Sequence, residues 1–393
     1  MLEQTKQYVT WQEGDTHHKA LWISQSNYEP PSRIVIVDDS TTAGEAYRLA
    51  NAGTSMLWRG DFQNAKQLLQ ALQRRIDRAE ERKKNKENKL ANKSAKDAAN
   101  DIPNLFHKNR QAQSQRARLL SRLILQLDEN FVSKLRRAPD VSAACTAAFG
   151  KITEPCVLSF RDLQGALGAA QWREKGVPIK ELGLSIYPHY GVFAPTRQEY
   201  VQLLLDAPLP SPCEVAYDIG TGTGLLAIIL AKRGIKQVIA SDINPSALAC
   251  AKDNLDRLKL TDVQLQQVDL FPKQVPKANL IVCNPPWLPA KPSSPLEYAV
   301  YDPNSAMLRG FLKGISQYLA ENGEAWLILS DLAEHLNLRS RDELLGWIDD
   351  AGLTVKYRLD TQPTHGKSHD ENDPLYVARS AEVTSLWCLI RAI

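Results

Sequence analysis

Apolar and polar positions alternate in a regular rhythm over the second half of the chain. Short aliphatic runs at about 214–218, 237–242, 263–268 and 279–283 each close on a polar or turn-forming residue. Such runs predict strands buried on both faces. Helical stretches between the first three begin near Gly224 and at Asn244-Pro245. A further helix is expected over about 305–320, ending before Glu321-Asn322-Gly323. A strand at 324–330, a helix at 339–351, a strand at 354–359 and a last strand at 383–390 complete the pattern. The order is that of an α/β, Rossmann-like, doubly wound sheet of about seven strands. The chain stops three residues after the last predicted strand, so no C-terminal domain is expected.

The first half carries a fainter version of the same rhythm. Arg33-Ile-Val-Ile-Val-Asp38-Asp39 reads as a strand ending in acids. A helical stretch follows from Gly44 to Gly53, then a short strand to Trp58, then Asp61 before another helix. Asp38 and Asp61 are 23 residues apart, and Asp218 and Asp242 are 24 apart. The N-terminal copy has no Gly-x-Gly turn. Residues 1–72 are therefore read as a degenerate, cofactor-free Rossmann-like domain, with chance similarity of two βαβ units as the alternative. Residues 73–140 read as a basic helical segment, with a second helical pattern from about 113 to 135 that puts Leu119, Leu120, Leu123, Ile124 and Leu127 on one side. Residues 141–194 read as a connector with short strands around Gly and Pro turns, among them stretches at 171–177 and 184–193. The catalytic domain is expected at 195–393, opening on a helix after Ala194-Pro195.

Charge is segregated. From Arg74 to Arg137 there are 18 Lys and Arg against 8 Asp and Glu, although the whole chain carries only +3. The stretch 78–96, poor in large apolar residues, reads as an exposed or partly disordered helix. Its bland reading is a solvated linker. The other is a nucleic-acid footprint, because clustered cations bind phosphates by releasing counterions. The six cysteines are scattered singly with no Cys-x-x-Cys pair. This argues against disulfide or zinc scaffolds and for a reducing, cytoplasmic setting. The N-terminus has no apolar signal core, and the longest aliphatic run, Leu225 to Ala231, is too short to span a bilayer, so no membrane association is expected. His365 and His369 have a metal-like spacing, but Gly366 and the polar run around them indicate a loop, and no metal site is assigned. A substrate role for that loop stays open, as it does for Tyr187, His189 and Tyr190.

Two motifs carry the chemistry. The first is Asp218-Ile-Gly220-Thr221-Gly222-Thr-Gly224, a glycine-rich turn after a strand. Such a turn lets a cofactor lie against the backbone. An acid two residues before the first glycine would repel a pyrophosphate and attract an amino group, which favours S-adenosylmethionine (SAM) over a dinucleotide. Asp242, closing the second strand and followed by Ile243, suits the two hydroxyls of a ribose, at roughly 1.5–3 kcal/mol per charge-assisted hydrogen bond. Asp269 suits an adenine amino group and Leu270 its ring. The second motif is Asn284-Pro285-Pro286-Trp287 after the fourth strand. The Asn284 side-chain oxygen and the Pro285 carbonyl can hold a planar NH₂ group with its lone pair directed at a sulfonium methyl. Two prolines pre-place those acceptors, and Trp287 offers a face for stacking.

In this order the motifs resemble the class I SAM-dependent methyltransferases that methylate planar nitrogens. Residues 185–393 are similar to the release-factor glutamine methyltransferases (HemK/PrmC), including Asp302-Pro303-Asn-Ser-Ala306-Met-Leu-Arg-Gly310 for their Glu-Pro-x-x-Ala-Leu-x-x-Gly. Those enzymes carry Tyr where this chain has Trp287, and a small helical bundle in place of residues 1–150. The overall layout resembles the RsmC and RlmG ribosomal RNA guanine methyltransferases. DNA adenine methyltransferases share the tetrapeptide, but many add a target-recognition domain with no obvious counterpart here. The resemblance implies a SAM-dependent N-methyltransferase with the last strand of its sheet inserted antiparallel. The expected target is a base amino group in RNA, with protein glutamine N5 as the alternative. A catalytically inactive SAM-binding scaffold is a second alternative, disfavoured because the glycines and Asn284 are intact.

Overall fold

A computed structural model describes residues 6–91, 102–363, 366 and 369–392, excluding the side chains of 84–91 and 295. Residues 92–101 of the basic segment and His365 of the histidine loop lie outside the described residues, as do the side chains of Lys84, Lys86 and Lys89. The chain divides into two compact units, 1–171 and 172–393.

The first unit contains strands β1 (Tyr8–Glu13), β2 (Thr16–Ile23), β3 (Ile34–Val37), β4 (Ser55–Trp58), β5 (Leu123–Leu127) and β6 (Cys156–Ser159). Its helices are α1 (Ala43–Asn51), α2 (Phe62–Ala91), α3 (Ile102–Leu120), α4 (Ser142–Phe149) and α5 (Phe160–Lys175), the last running just past the division. The sheet order is β1-β2-β6-β5-β4-β3. Met56, Trp58, Leu123, Leu125 and Leu127 point into a core with Ala46, Ala50, Leu68, Leu69 and Leu72 of α1 and α2.

Two local readings are corrected here. The stretch 113–135 is not one helix, since α3 stops at Leu120 and Leu123–Leu127 is a strand. Leu125 fills the face that a one-sided helix would leave polar. The run is therefore apolar on both sides, as a central strand requires, and Leu123, Ile124, Leu125 and Leu127 are all fully buried. Likewise, Gln171–Lys175 ends α5 and is not a strand. The repeat-like β3-α1-β4-α2 order is present and β3 pairs with β4 in parallel, but β3 lies at the edge of its sheet. Asp61, the acid matching Asp242 in spacing, is taken up within the unit. It accepts from Arg136 at 3.0 Å, Arg137 at 2.6 Å and the Gln63 amide at 2.8 Å. The guanidinium of Arg137 holds its carboxyl well below the usual range.

The second unit opens with a two-stranded hairpin, β7 (Val177–Ile179) and β8 (Leu184–Ile186). Then follow α6 (Glu199–Asp206), β9 (Val215–Ile219), α7 (Leu225–Lys232), β10 (Gln237–Asp242), α8 (Pro245–Arg257), β11 (Val263–Gln267) and β12 (Ala278–Cys283). The chain ends with α9 (Ala306–Tyr318), β13 (Leu319–Ser330), α10 (Leu332–His335), α11 (Arg341–Asp350), β14 (Leu353–Thr361), α12 (Tyr376–Ser380) and β15 (Thr384–Arg391). The seven strands run in the order β11-β10-β9-β12-β13-β15-β14. β15 is antiparallel to both its neighbours, β13 and β14. Alternate residues feed two cores. Ala216, Val238, Leu280 and Val282 face α6 and α7, whereas Tyr217, Ile239, Ile281 and Leu327 face α9 and α11. Helices thus cover both faces of a Rossmann-like sheet, as the sequence predicts.

Candidate active site

Strand register brings the two motifs together. Ile219 of β9 pairs with Ser241 on one side and Cys283 on the other. Gly220, Asp242 and Asn284 therefore leave the sheet from three adjacent strand ends. β9 is also where strand order reverses, the crevice in which open α/β sheets bind ligands.

The glycine turn is shaped from below. The Gly220 and Thr221 amides both donate to the Ser241 carbonyl at 2.9 Å. All three glycines have positive φ: 75° at Gly220, 55° at Gly222 and 85° at Gly224. A Cβ on Gly220 would stand 2.8 Å from the Met307 methyl, and one on Gly224 would stand 3.2 Å from Ala251 on α8. A Cβ on Gly222 would meet nothing within 4 Å. Gly220 and Gly224 thus serve packing, whereas Gly222 keeps open the space above the turn.

Asp218 is fully buried. Its Oδ2 accepts from the Thr221 hydroxyl at 2.6 Å and the Ala227 amide at 3.0 Å. Its Oδ1 has no hydrogen-bond partner among the described residues. Burial pushes the carboxyl up to about 7. Asp242 accepts from the Gly222 amide at 3.0 Å and the Asn244 amide at 2.8 Å, and burial raises its pKa too. Ile243 beside it is 66% exposed, an aliphatic face in water at the mouth of the turn. Asp269 is exposed at the end of β11. Leu270 follows with φ 59°, its carbonyl accepting from the Ser241 hydroxyl at 2.5 Å. A Cβ on Gly310 of α9 would stand 2.8 Å from Leu270 Cδ1. The Asp302–Gly310 segment therefore packs against both cofactor-side loops. Asp302 is buried and caps α9 through the Met307 and Leu308 amides at 2.9 and 3.1 Å.

At the tetrapeptide, Pro285 is buried while Asn284, Pro286 and Trp287 are half-buried. The Trp287 indole N–H donates to Asn284 Oδ1 at 2.9 Å. An indole N–H can only donate, so this bond fixes which end of the Asn284 amide is oxygen and leaves that oxygen a second lone pair. Arg197 stacks on Trp287, its guanidinium carbon 4.6 Å from the ring centroid. Arg197 is itself anchored by Glu199 at 2.7 Å and by the buried Glu382 at 3.0 Å. Sequence reasoning missed Arg197, because Glu382 lies 185 residues away and no local pattern joins them. Tyr187 and His189 find their partners on α8. The Tyr187 amide donates to Asn254 at 2.8 Å, Arg257 lies over the Tyr187 ring at 4.2 Å, and His189 Nε2 is 3.1 Å from Asp253.

The chain is similar to several methyltransferases. A model of the methyltransferase small domain matches residues 183–345. A putative protein N5-glutamine methyltransferase of Methanocaldococcus jannaschii is 31% identical over 162 residues, covering 40% of this chain and 80% of that one. A release factor glutamine methyltransferase of Rhodopirellula baltica is 35% identical over 160 residues, 35% of this chain and 53% of the relative. The tRNA1(Val) (adenine(37)-N6)-methyltransferase of Cytophaga hutchinsonii is 30% identical over 131 residues, 31% and 54% respectively. The chain thus spans about half the length of the last two relatives. Among solved structures, the ribosomal protein L11 methylase of Lactobacillus delbrueckii subsp. bulgaricus aligns with a TM-score of 0.37 at 19% identity, covering 56% of this chain and 91% of that one. The chain belongs to the class I SAM-dependent methyltransferases, with a methyltransferase small domain as its core. It is an N-methyltransferase whose cofactor is SAM.

Proposed function

We propose that the chain methylates an exocyclic amino group of a base in RNA, using the crevice between the ends of β9, β10 and β12. The observation that carries this reading is the Trp287–Asn284 pair: an aromatic plane locked beside the one side-chain acceptor suited to a planar amine. When bound, SAM supplies an electrophilic sulfonium methyl. Asp218 Oδ1, a buried oxygen lacking a partner among the described residues, would accept from the cofactor's amino group. Gly222 would leave its backbone path clear, on a turn shaped by Gly220, Thr221 and Gly224. Asp242 would accept from the ribose hydroxyls, giving up its bond to the Gly222 amide. Ile243, Asp269 and Leu270 would contact the adenine.

At the target, the free lone pair of Asn284 Oδ1 and the Pro285 carbonyl would accept the two amine hydrogens. That draws the nitrogen lone pair out of conjugation and toward the methyl carbon. Held this way, the nitrogen would displace the sulfonium sulfur from the methyl carbon and give up its extra proton to solvent. No base with a tuned pKa is required. The Cys283 thiol, pushed far up by complete burial, is not a nucleophile.

The relatives named for protein glutamine favour a second reading, since a glutamine amide presents the same NH₂ geometry. The two are separated by incubating the protein with methyl-tritiated SAM and extracts from cells lacking this gene. Label that nuclease releases supports RNA. Label that resists nuclease and is recovered as methylglutamine overturns it. In either case Asn284→Ala should abolish transfer with little change in SAM affinity. Trp287→Phe keeps an aromatic face but loses the N–H, and should lower kcat about three- to tenfold, the worth of one hydrogen bond of roughly 0.5–1.5 kcal/mol.

A further inference from the structure

In the first unit, α1 and α2 enclose a cleft of about 390 Å³ lined by Tyr47, Arg74, Arg75, Arg78 and Arg82 over a floor of small residues. Arg75, Arg78 and Arg82 recur three and four residues apart, so they form one stripe along α2. That stripe borders the apolar face of α2, where Phe62, Ala65, Leu68, Leu69, Leu72 and Ile76 are buried, with Arg75 two turns on from Leu68. Ala43, Ala71 and Ala79 leave room between the helices. The Arg75 guanidinium lies 5.7 Å from the Tyr47 ring centroid and 3.7 Å from where a Cβ on Gly44 would be, at the N-terminus of α1.

Two observations point to a ligand. None of the four arginines is paired with a carboxylate among the described residues. Asp77, within the same stretch of α2, is already taken by Arg116 of α3 at 2.7 Å. The cleft also receives the positive end of α1, whose first turn begins at Ala43. Four unneutralised guanidinium groups and a helix N-terminus converge on one concave space. Guanidinium forks match phosphate oxygens two at a time, and the flat Tyr47 ring keeps Arg75 directed into the cleft.

We propose that this α1–α2 cleft is a phosphate-binding surface that grips the RNA backbone, with Arg75, Arg78 and Arg82 as its phosphate ligands. This rests on the RNA reading above. The spacing of the stripe suits consecutive phosphodiesters of one strand, which would position the RNA without reading its bases.

The test uses the full-length protein and a fluorescein-labelled single-stranded RNA oligonucleotide, followed by anisotropy across a salt series. One variant is R75Q/R78Q/R82Q. A control, K66Q/K108Q/K151Q, removes the same charge from exposed lysines outside the cleft. Circular dichroism and SAM affinity confirm that both variants are folded. The cleft variant should bind RNA about 10- to 100-fold more weakly at ~100 mM salt and flatten the log–log salt slope by about 2, with the control near wild type. If wild type binds RNA steeply with salt but both variants lose the same affinity, or the cleft variant loses none, the cleft is not the site although the RNA reading stands. If wild type shows no salt-dependent RNA binding, the RNA reading fails and the proposal with it.

Discussion

At the scale of single residues, Asp218 has the most measurable consequence. Its folded carboxyl is raised to about 7 by burial, from an ordinary value of 3.8. Between those values the folded chain holds a proton that the unfolded chain has released. The group's contribution to stability is therefore present at low pH and is lost as pH rises toward 7. A cationic amino group beside Oδ1 would reverse the preference and favour the carboxylate. SAM binding is thus expected to weaken as pH falls below 7, approaching tenfold per unit. Asp218→Asn should remove that dependence. Calorimetry in buffers of differing ionisation enthalpy should detect proton release on binding near pH 6. A pH-independent affinity in the wild-type protein would remove Asp218 from the cofactor's contacts. The place of this residue was legible in the sequence, because an acid two positions before a Gly-x-Gly-x-Gly turn marks where the strand ends and the turn begins. The clamp of Arg197 on Trp287 was not, because it is assembled from the turn after β12, the segment before α6 and the loop before β15.

Among elements, what could be read depended on how local the governing signal is. β9, β10 and β12 are aliphatic runs closed by Asp, Asp and Asn, and each lies where the pattern puts it. β5 misled because Leu119, Leu120, Leu123, Ile124 and Leu127 also fit a helical spacing, and only Leu125 breaks it. The β1–β2 hairpin went unread, although Val9 and Trp11 alternate with exposed Tyr8 and Thr10 and Gly14 turns at φ 60°. Its outer strand is too polar to stand out against the surrounding sequence. Two glycines of the same turn differ in what surrounds them. Gly224→Ala must force a Cβ against Ala251 where α7 meets α8, in addition to holding alanine at φ 85°. A loss of about 2 kcal/mol is expected, or roughly 4–8 °C in Tm. Gly222→Ala meets open space in the protein and should cost about 1 kcal/mol of stability, yet weaken SAM at least tenfold. Differential scanning calorimetry and a SAM titration on both variants check this. Equal effects on both measurements would mean that the crevice above Gly222 is not the cofactor's path.

Across the whole molecule, charge is divided between two tasks. The segment from Arg74 to Arg137 carries an excess of 10 positive charges, and the chain as a whole only +3. In the crevice, by contrast, Asp218, Asp242 and Asp269 are the acids proposed to hold a small cofactor. Those two chemistries answer differently to salt. Asp218 is fully buried and Asp242 half-buried, so both act over hydrogen-bond distances that ions screen little. An arginine cleft binding about three phosphates displaces a comparable number of counterions, so affinity should fall with a log–log slope of about −2 to −3. Between ~50 and ~200 mM salt, kcat/KM for RNA should therefore drop roughly 15- to 60-fold, while the Kd for SAM changes less than about twofold. Steady-state assays with methyl-tritiated SAM and bulk RNA at those two concentrations measure both quantities in one preparation. A flat response in RNA would show that phosphate contacts do not hold the substrate. Methyl transfer would then be governed by the crevice alone, and a glutamine-bearing protein would become the better-supported target.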